Sequence, residues 1–507
     1  MKLKTSLNGK TYEFKSIADV LAKANEPKSA DRFQGIAAET ASERVAAKIV
    51  LSEMTVEELT EHPTLPYETD EVTRVNLDGL NRPMYERFKS KTIGELREWV
   101  LDHRTTSEEL GRAGRAFTGE VVAAVAKLMS TLDLVYGASK IHRPTKCVTE
   151  IGLPGTLSYR LQANSPTDDV QGILIGVMEG LTYGSGDACL GINPVTDDPE
   201  TTRRIADGLW KLVVKNSIPT QITVLSHITT QMESVRQGAP LSMFFQSIAG
   251  TQEANDNFGV NRALLEEAYA LAREKCTGLG PNLLYFETGQ GSEASIGADG
   301  GVDEMTLEAR TYGFGRYFNP FMVNNVSGFI GPETLYDGKE MIRANLEDHF
   351  MGKLIGLPMG MAPCYTNHTS ITQDDQEMAT ALLAMAGGVF YREFTKFNGF
   401  SGRTTLAFVH THLFLLGMIV FLVAALFEFH AAVTEQKRFG LFFGIYNAGI
   451  AVTVVMLIVR GIAQVRALEL SRAMDASISG IAGLGHIMTG VGIILYFVML
   501  KKAVAES

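Results

Sequence analysis

Several polar side chains stand near the ends of short apolar segments in the middle of the chain, where they could act on one ligand. Asn193, Gln246, Glu287 and either Asn324 or Asn325 lie at such positions. Amides and a carboxylate can bind an amine or a hydroxyl group. If the segments are parallel strands, these residues lie at the strand ends that carry the active site of a (β/α)8 barrel. The alternative is that each polar residue only begins a solvated loop.

A glycine-rich run follows one of these segments. The string ETGQGSEAS joins Glu287 to Ser295, and its glycines let backbone amides approach a ligand closely. The chain has no P-loop, GxSxG, HExxH or zinc-finger spacing. Its four cysteines are far apart, which favours reduced thiols over a disulfide framework or a metal site. The sequence therefore predicts no metal ligands in this region.

The elements that must position these residues change along the chain. Apolar residues at three-to-four spacing predict helices from about 15 to 135, including one helix over Glu120 to Leu134, with capping boxes at Thr55 and Thr92. From about 148 to 388, short apolar runs alternate with helical stretches, which predicts a parallel sheet. The sheet is either doubly wound or a barrel, and the placement of the polar residues favours a TIM-type barrel. The six predicted strands lie within 190–195, 220–227, 242–250, 283–291, 321–329 and 357–367.

The last hundred residues have a different composition. Three apolar stretches, 404–427, 439–459 and 480–500, are each long enough to cross a bilayer as helices. A shorter run, 378–391, follows acidic residues and is predicted to be a core helix or a shortened span. Six basic residues flank the spans on one side and four on the other, which places the N-terminal domain in the cytoplasm. We therefore expect an N-terminal helical region (1–147), a barrel domain (148–387) and a membrane domain (388–507).

The overall composition restricts the classes of partner. The chain has 507 residues, 45% of them hydrophobic, and a formal net charge of −11. This length predicts several domains, each with a hydrophobic core, and the net negative charge argues against a nucleic-acid partner. The N-terminus has no apolar run after its lysines, so no secretory signal is expected.

Long strings in the first three quarters of the chain resemble the large subunit of ethanolamine ammonia-lyase. They occur in the family's order, and the resemblance extends from residue 1 to about 387. The strings are IGLPGTLSYRLQ (151–162), GINPVTDD (191–198), FFQSIAG (244–250), YFETGQGSE (285–293), GFIGPETLY (328–336), LEDHFMGKL (346–354) and CYTNH (364–368).

The resemblance implies a TIM barrel that binds adenosylcobalamin together with a small subunit, in a hetero-oligomer. It implies a carbon-nitrogen lyase of ethanolamine catabolism that converts ethanolamine to acetaldehyde and ammonia by radical chemistry. The matching substrate positions are Arg160, Gln162, Asn193 and Glu287, and Arg160 and Glu287 are the residues expected to act in catalysis. The matching cobalamin contacts are Pro194, Gln246 and Ser295. The family is cytosolic or housed in a bacterial microcompartment.

The chain departs from the family in two places. Ala362 stands where the family has an aspartate that helps to bind the substrate amine, which costs about 1–3 kcal/mol unless Asp374 or Asp375 compensates. Near residue 388 the resemblance stops, before the last strand and helix of the barrel. A barrel without one strand leaves an unpaired edge, so we expect an incomplete barrel and doubtful turnover.

The remainder, about 388 to 507, resembles an uncharacterised family of small bacterial membrane proteins with four spans. The chain is therefore predicted to be a fusion that carries a bundle of three or four transmembrane helices in a lipid bilayer. His410, His412 and His486 lie in predicted spans and are candidate haem or metal ligands. The alternative hypothesis is that the chain is a multi-span membrane protein whose function depends on its histidines, and that the lyase-derived part is inactive. We call this the passenger hypothesis.

Overall fold

A computed structural model describes residues 2–327, 335–364, 369–386, 427–428, 431–466, 468 and 470–506. The chain forms two compact units, Met1–Gly388 and Val389–Ser507. The candidate span 404–427 lies outside the described residues, apart from Phe427. His410 and His412 lie outside them too.

The first unit begins with an antiparallel hairpin followed by helices. Strands β1 (Lys4–Leu7) and β2 (Lys10–Glu13) are joined at Asn8 and Gly9, which both have positive φ. The helices are α1 (Ile17–Ala24), α2 (Ser29–Phe33), α3 (Ala41–Glu53), α4 (Val56–Glu61), α5 (Glu71–Asp78), α6 (Arg82–Phe88), α7 (Ile93–Leu101), α8 (Ser107–Ala113), α9 (Gly119–Lys127) and α10 (Thr131–Ser139). The predicted helical character of this region is confirmed.

Helix boundaries here follow local capping chemistry. Thr55 and Thr92 form the predicted capping boxes with Glu58 and Glu95. The prediction of one helix over 120–134 is wrong, because α9 ends at Lys127 and Ser130 starts a new helix through a capping box with Asp133.

All six predicted strands are present, and two short strands and a further parallel strand precede them. Strands β3 (Thr145–Lys146) and β4 (Glu150–Ile151) pair antiparallel. Strands β5 (Arg160–Leu161), β6 (Cys189–Ile192) and β7 (Ile222–Val224) form one parallel sheet. Strands β8 (Phe244–Ser247), β9 (Leu284–Thr288), β10 (Met322–Val326) and β11 (Met359–Ala362) form a second. The neighbouring strands of each parallel sheet follow in chain order.

Helices separate the parallel strands, as the sequence predicted. They are α11 (Val170–Thr182), α12 (Pro199–Asn216), α13 (Ile228–Arg236), α14 (Gln252–Asn257), α15 (Arg262–Lys275), α16 (Ser292–Ser295), α17 (Glu304–Arg316), α18 (Gly338–Ile355) and α19 (Gln373–Ala386). The segment between β7 and β8 joins the two sheets, since the Ser242 amide donates to the Ile222 carbonyl at 2.8 Å. The fold is thus mixed α/β with alternating parallel strands and helices, and one apolar core extends from α1 to β11.

A buried ionic network fixes the N-terminal helices against this sheet region. Arg310 on α17 is fully buried and donates to Asp70 Oδ2 at 2.7 Å and Glu120 Oε1 at 2.6 Å. It also donates to the Gly250 carbonyl, which follows β8, at 3.0 Å. Gly119, at the start of α9, leaves no room for a side chain, since a Cβ there would lie 2.6 Å from the Arg310 backbone. One guanidinium therefore holds three parts of the unit together.

The described part of the second unit contains helices α20 (Phe439–Val465) and α21 (Arg472–Glu506). Both are long and apolar enough to cross a membrane, and they contain the predicted spans 439–459 and 480–500. They approach closely at small residues, because a Cβ on Gly449 would lie 2.5 Å from the Thr489 amide nitrogen and one on Gly485 would lie 2.5 Å from Thr453 Oγ1. His486 lies on an exposed face of α21, with Nδ1 2.8 Å from the Ala482 carbonyl oxygen. Its ring therefore engages the backbone of its own helix.

Candidate functional site

Arg160 on β5 and Glu287 on β9, both predicted as substrate residues, lie side by side. Arg160 Nη1 is 3.3 Å from Glu287 Oε1 and also donates to the Tyr285 hydroxyl. The Tyr285 hydroxyl in turn donates to Glu287 Oε1 at 3.1 Å. Asn324 Nδ2 donates to the same oxygen at 3.0 Å. We call Arg160, Tyr285, Glu287 and Asn324 the strand-end network.

The strand-end network follows from strand geometry. Tyr285 and Glu287 are two residues apart on β9, so their side chains point to the same face of the sheet. Asn324 on β10 is the register partner of Glu287. Its neighbour Asn325 points the other way and is fully buried, with Nδ2 donating to Glu308 Oε1 at 3.2 Å. The sequence left Asn324 and Asn325 as alternatives, and the structure brings Asn324 to the network.

In the strand-end network the Arg160 guanidinium stays charged, and only one of the two Glu287 carboxylate oxygens has hydrogen-bond partners among the described residues. Burial opposes the charge of Arg160, yet Tyr285 and Glu287 outweigh it and raise the pKa of the guanidinium. Burial and Glu287 together raise the pKa of Tyr285, so its hydroxyl stays neutral and can donate. Glu287 Oε1 accepts from three groups, whereas Oε2 has no hydrogen-bond partner among the residues the structure describes. A cationic ligand can therefore pair with Oε2.

Sequence reasoning missed Tyr285 as a site residue, although its position two residues before Glu287 on a predicted strand was an available signal. We expect Tyr285→Phe to lower kcat/KM for an amine substrate by about 10- to 100-fold, since a hydrogen bond to charged groups is worth about 1.5–3 kcal/mol. The exposed Tyr183→Phe is the matched control and should leave kcat/KM unchanged. Unchanged kcat/KM in Tyr285→Phe would show that the hydroxyl does not position Glu287 and Arg160.

A cavity of about 390 Å³ adjoins the strand-end network. Arg160, Gln162, Asn324 and Ala362 are among its lining residues. Gln162 is half-buried and makes no side-chain hydrogen bond within the described part of the chain. Its amide is thus available to a ligand beside Arg160.

Asn193, the fourth predicted substrate residue, lies in the loop after β6 with an exposed side chain. Asn164 Oδ1 accepts from its backbone amide at 2.9 Å. Asp168, in the left-handed region at φ 51°, accepts from the amides of Val195 and Thr196 at 2.8 and 2.9 Å. Asp168 therefore fixes this loop, a role that the sequence analysis did not assign. The structure does not bring Asn193 into hydrogen-bond contact with the strand-end network.

The three predicted cobalamin contacts lie in a loop, in a strand and at the end of a short helix. Pro194 follows Asn193, and Ser295 ends α16, with its hydroxyl donating to the Gly291 carbonyl at 3.1 Å. Gln246 on β8 is buried, accepts from the Ile228 amide at 2.9 Å and donates to the Ser247 carbonyl at 3.1 Å. The acceptor lone pairs of the Ser295 hydroxyl suit a neutral ligand rich in carboxamides, such as the amide-bearing rim of a corrin, whereas the Gln246 side chain is mostly engaged by the backbone.

Asp374 and Asp375, which could compensate for the missing carboxylate at position 362, lie outside the lining of the cavity. Asp375 accepts from the Thr372 amide at 2.9 Å near the start of α19, and Asp374 is exposed. Neither residue lines the cavity, whereas Ala362 does. Asp374 and Asp375 therefore do not replace an aspartate at position 362.

Because Ala362 lines the cavity, a substitution at this position tests whether the site recognises an ammonium group. We expect Ala362→Asp to lower the KM for an amine substrate by about tenfold, because a second carboxylate beside a bound ammonium is worth at least about 1.4 kcal/mol. The similarly sized Ala362→Asn controls for shape and should leave KM near its starting value. Equal effects of the two variants would show that charge at this position is irrelevant.

No group of three or more metal-ligating side chains is gathered within the described ranges. The four cysteines form no disulfide, and burial raises the pKa of the Cys189 thiol, beside Arg160, to about 12. Metal chemistry therefore has no donor set in the part of the chain described.

Comparison with known proteins gives two family matches. Residues 12–395 match the family model "Ethanolamine ammonia lyase large subunit (EutB)", and residues 375–503 match a "Protein of unknown function (DUF2871)". The ethanolamine ammonia-lyase large subunits of Salmonella typhimurium strain LT2 and Escherichia coli strain K12 are each 51% identical over 387 residues, which are 76% of this chain and 85% of each relative. Both resemblances noted in the sequence are thereby confirmed.

Proposed function

Because this chain belongs to the ethanolamine ammonia-lyase large-subunit family, a family of carbon-nitrogen lyases, we propose that it binds ethanolamine at the strand-end network and converts it to acetaldehyde and ammonia. The observation that carries this proposal is the contact of Arg160 and Glu287 across strands β5 and β9. In this proposal the parallel strands are an incomplete TIM-type barrel, and the strand-end network lies at its carboxyl-terminal mouth. The lyase domain extends to residue 387 and follows the helical region 1–147.

The substrate is held by charge and by amides. Glu287 Oε2 pairs with the substrate ammonium, and the Gln162 amide donates to or accepts from the substrate beside it. Asn193 reaches the substrate hydroxyl once its exposed side chain turns toward the mouth. Tyr285 and Asn324 hold Oε1 of Glu287, so that the carboxylate keeps one orientation.

Arg160 supplies positive charge beside the group that migrates. Its raised pKa keeps the guanidinium protonated throughout, so it stabilises negative charge by hydrogen bonding and does not transfer a proton. The half-buried environment of Arg160 and Glu287 strengthens both interactions relative to bulk water.

Membership of the family implies that the chain depends on cobalamin and pairs with a small subunit. Adenosylcobalamin supplies the radical that begins the reaction. Pro194, Gln246 and Ser295 are the residues we assign to hold it, and the Ser295 hydroxyl would offer a hydrogen-bond acceptor to its amide groups. The small subunit completes the assembly as a hetero-oligomer.

We assign the second unit as a membrane anchor. Helices α20 and α21 cross the bilayer, and the flanking positive charge keeps the lyase part in the cytoplasm. The exposed outer face of α21, with Leu484, Ile487 and Ile494, contacts lipid.

The experiment that tests the function is acetaldehyde formation from ethanolamine by the full-length chain, purified in detergent from a host that lacks its own enzyme. We expect turnover that requires both adenosylcobalamin and the small subunit. A pure, folded chain with no turnover under these conditions would favour the passenger hypothesis. A Soret band from the purified protein would then support haem binding through its histidines.

A further inference from the structure

The back of strand β10 is attached to helix α17 directly beside the strand-end network. Asn324 points to the front of the sheet, where its Nδ2 donates to Glu287 Oε1 at 3.0 Å. Asn325 points to the back, because successive side chains of a strand alternate between its faces. It is fully buried, and its Nδ2 donates to Glu308 Oε1 at 3.2 Å and to the Tyr312 hydroxyl at 3.4 Å. The residue next to Asn324 is therefore held by two side chains of α17.

Helix α17 presents both acceptors on one face and is itself fixed on the sheet. Glu308 and Tyr312 are four residues apart, which is about one helical turn, and both are almost wholly buried. Gly315 lets the helix approach the strands closely. A Cβ at this position would lie 3.1 Å from Ile248 Cδ1, just after β8, and 3.6 Å from Phe286 Cδ2 on β9. The helix is thus held against the strands without the contact to Asn325, so this contact can fix the end of β10.

The Glu308 carboxyl has acidic neighbours on two other helices. Burial, and then Glu293 on α16, raise the pKa of Glu308 to about 7. Burial, and then Glu308, raise the pKa of Asp348 on α18 well above its ordinary value. Asp348 Oδ1 accepts from the Gln290 side chain, just after β9, at 2.7 Å. The site therefore accommodates an uncharged group at position 308, provided that the group offers an acceptor oxygen.

We propose that Glu308 is a positioning residue of the lyase, which fixes the end of β10 through Asn325. Asn324 then stays in hydrogen-bond contact with Glu287. Without the Glu308 acceptor, the Asn325 amide keeps only the longer contact to Tyr312, and Glu287 Oε1 loses one of its three donors when β10 shifts. The inference rests on the proposed function, because Glu287 is the partner of the substrate ammonium there.

The test compares Glu308→Ala with Glu308→Gln and a matched control in the full-length chain in detergent, with adenosylcobalamin and the small subunit. The control is Glu304→Ala, since Glu304 is a buried carboxyl of the same helix whose backbone amide donates to Asp31 on α2 at 3.0 Å. We expect Glu308→Ala to raise the KM for ethanolamine about tenfold, because a poorly oriented Glu287 binds the ammonium less well. Glu308→Gln, which keeps an acceptor oxygen, and Glu304→Ala should leave the KM near its starting value.

The change in KM distinguishes positioning from stability. A smaller fraction of folded chain lowers the apparent kcat and leaves the KM as it was. An unchanged KM in Glu308→Ala, or an equal rise in Glu304→Ala, would overturn the proposal. An equal rise in Glu308→Gln would contradict the role of the acceptor oxygen.

A double-mutant cycle tests whether Glu308 acts through Asn324. Asn324→Ala removes this donor to Glu287, so Glu308→Ala added to it should raise the KM by less than about twofold further. A further rise of about tenfold would show that the two residues act independently and would overturn the proposal.

Hydrogen exchange of β10 separates the role of Glu308 from the proposed function, because it needs no substrate. In Glu308→Ala the backbone amides of Met322–Val326 should exchange about tenfold faster, whereas Glu304→Ala should leave them unchanged. Faster exchange in a chain that forms no acetaldehyde would support the fixing of β10 by Glu308 and contradict the lyase proposal. Turnover with unchanged exchange and unchanged KM in Glu308→Ala gives the reverse conclusion.

Discussion

Glu287→Gln should reduce kcat/KM for ethanolamine by about 100- to 1000-fold. The amide keeps the size of the side chain but cannot pair with the ammonium, and Arg160 then lacks its partner at 3.3 Å. Removing one partner of a hydrogen-bonded charge pair typically costs about 2–5 kcal/mol of binding, and a 100- to 1000-fold loss corresponds to about 2.7–4 kcal/mol. The measurement is steady-state acetaldehyde formation with adenosylcobalamin and the small subunit in excess.

The matched control for this variant is Glu253→Gln, which changes an exposed glutamate. It should retain full kcat/KM. A Glu287→Gln protein that turns over normally would remove Glu287 from the substrate site. A variant with a lowered unfolding temperature would instead indicate that Glu287 acts through stability.

Arg310→Met should have the largest effect on stability. Asp70 and Glu120, both buried, would lose the guanidinium that donates to them at 2.7 and 2.6 Å. Leaving buried carboxylates unpaired costs about 3–5 kcal/mol and should lower the Tm by about 5–10 °C. Thermal unfolding followed by circular dichroism of the full-length chain measures the change.

The same ion pair predicts a pH dependence. Burial opposes the charge of Glu120, but Arg310 outweighs it, so the pKa of Glu120 lies below its ordinary value in the folded chain. Its contribution to stability is therefore present above the unfolded pKa, about 4.3, and is lost as the pH falls through the folded value. The Tm difference between wild type and Arg310→Met should shrink as the pH falls below about 4. Exposed Arg273→Met is the control and should unfold as wild type at every pH; a constant difference would assign the effect to packing rather than charge.

Periodicity and strand-end polarity in the sequence predicted most of the scaffold. The six apolar runs contain β6 to β11, because buried parallel strands are short and almost wholly apolar. Strand β5 has only two residues, Arg160 and Leu161, so it lacked a recognisable apolar run. The break between α9 and α10 was missed because Ser130 and Asp133 fit equally well as exposed positions of one helix.

The site was predictable only in part. The position of Glu287 at a strand end marked it as a site residue, whereas Arg160 came only from resemblance to a family. No local pattern indicates that these residues, 127 positions apart, share a contact. Tyr285 was overlooked because an aromatic residue inside a strand usually belongs to the core, and it is fully buried. A decision between Asn324 and Asn325 as the site residue required the register of β10 with β9, and this register depends on tertiary pairing.

The central claim is that Arg160 and Glu287 form an ethanolamine site in a chain whose family match ends near residue 395. Equilibrium dialysis of labelled ethanolamine against the full-length chain, with the small subunit and the cofactor's unreactive hydroxo form, tests it most directly. We predict saturable binding at one site per chain that is weakened at least tenfold by Glu287→Gln and left unchanged by Glu253→Gln. Absence of saturable binding to the folded chain, or binding that Glu287→Gln leaves intact, would contradict it.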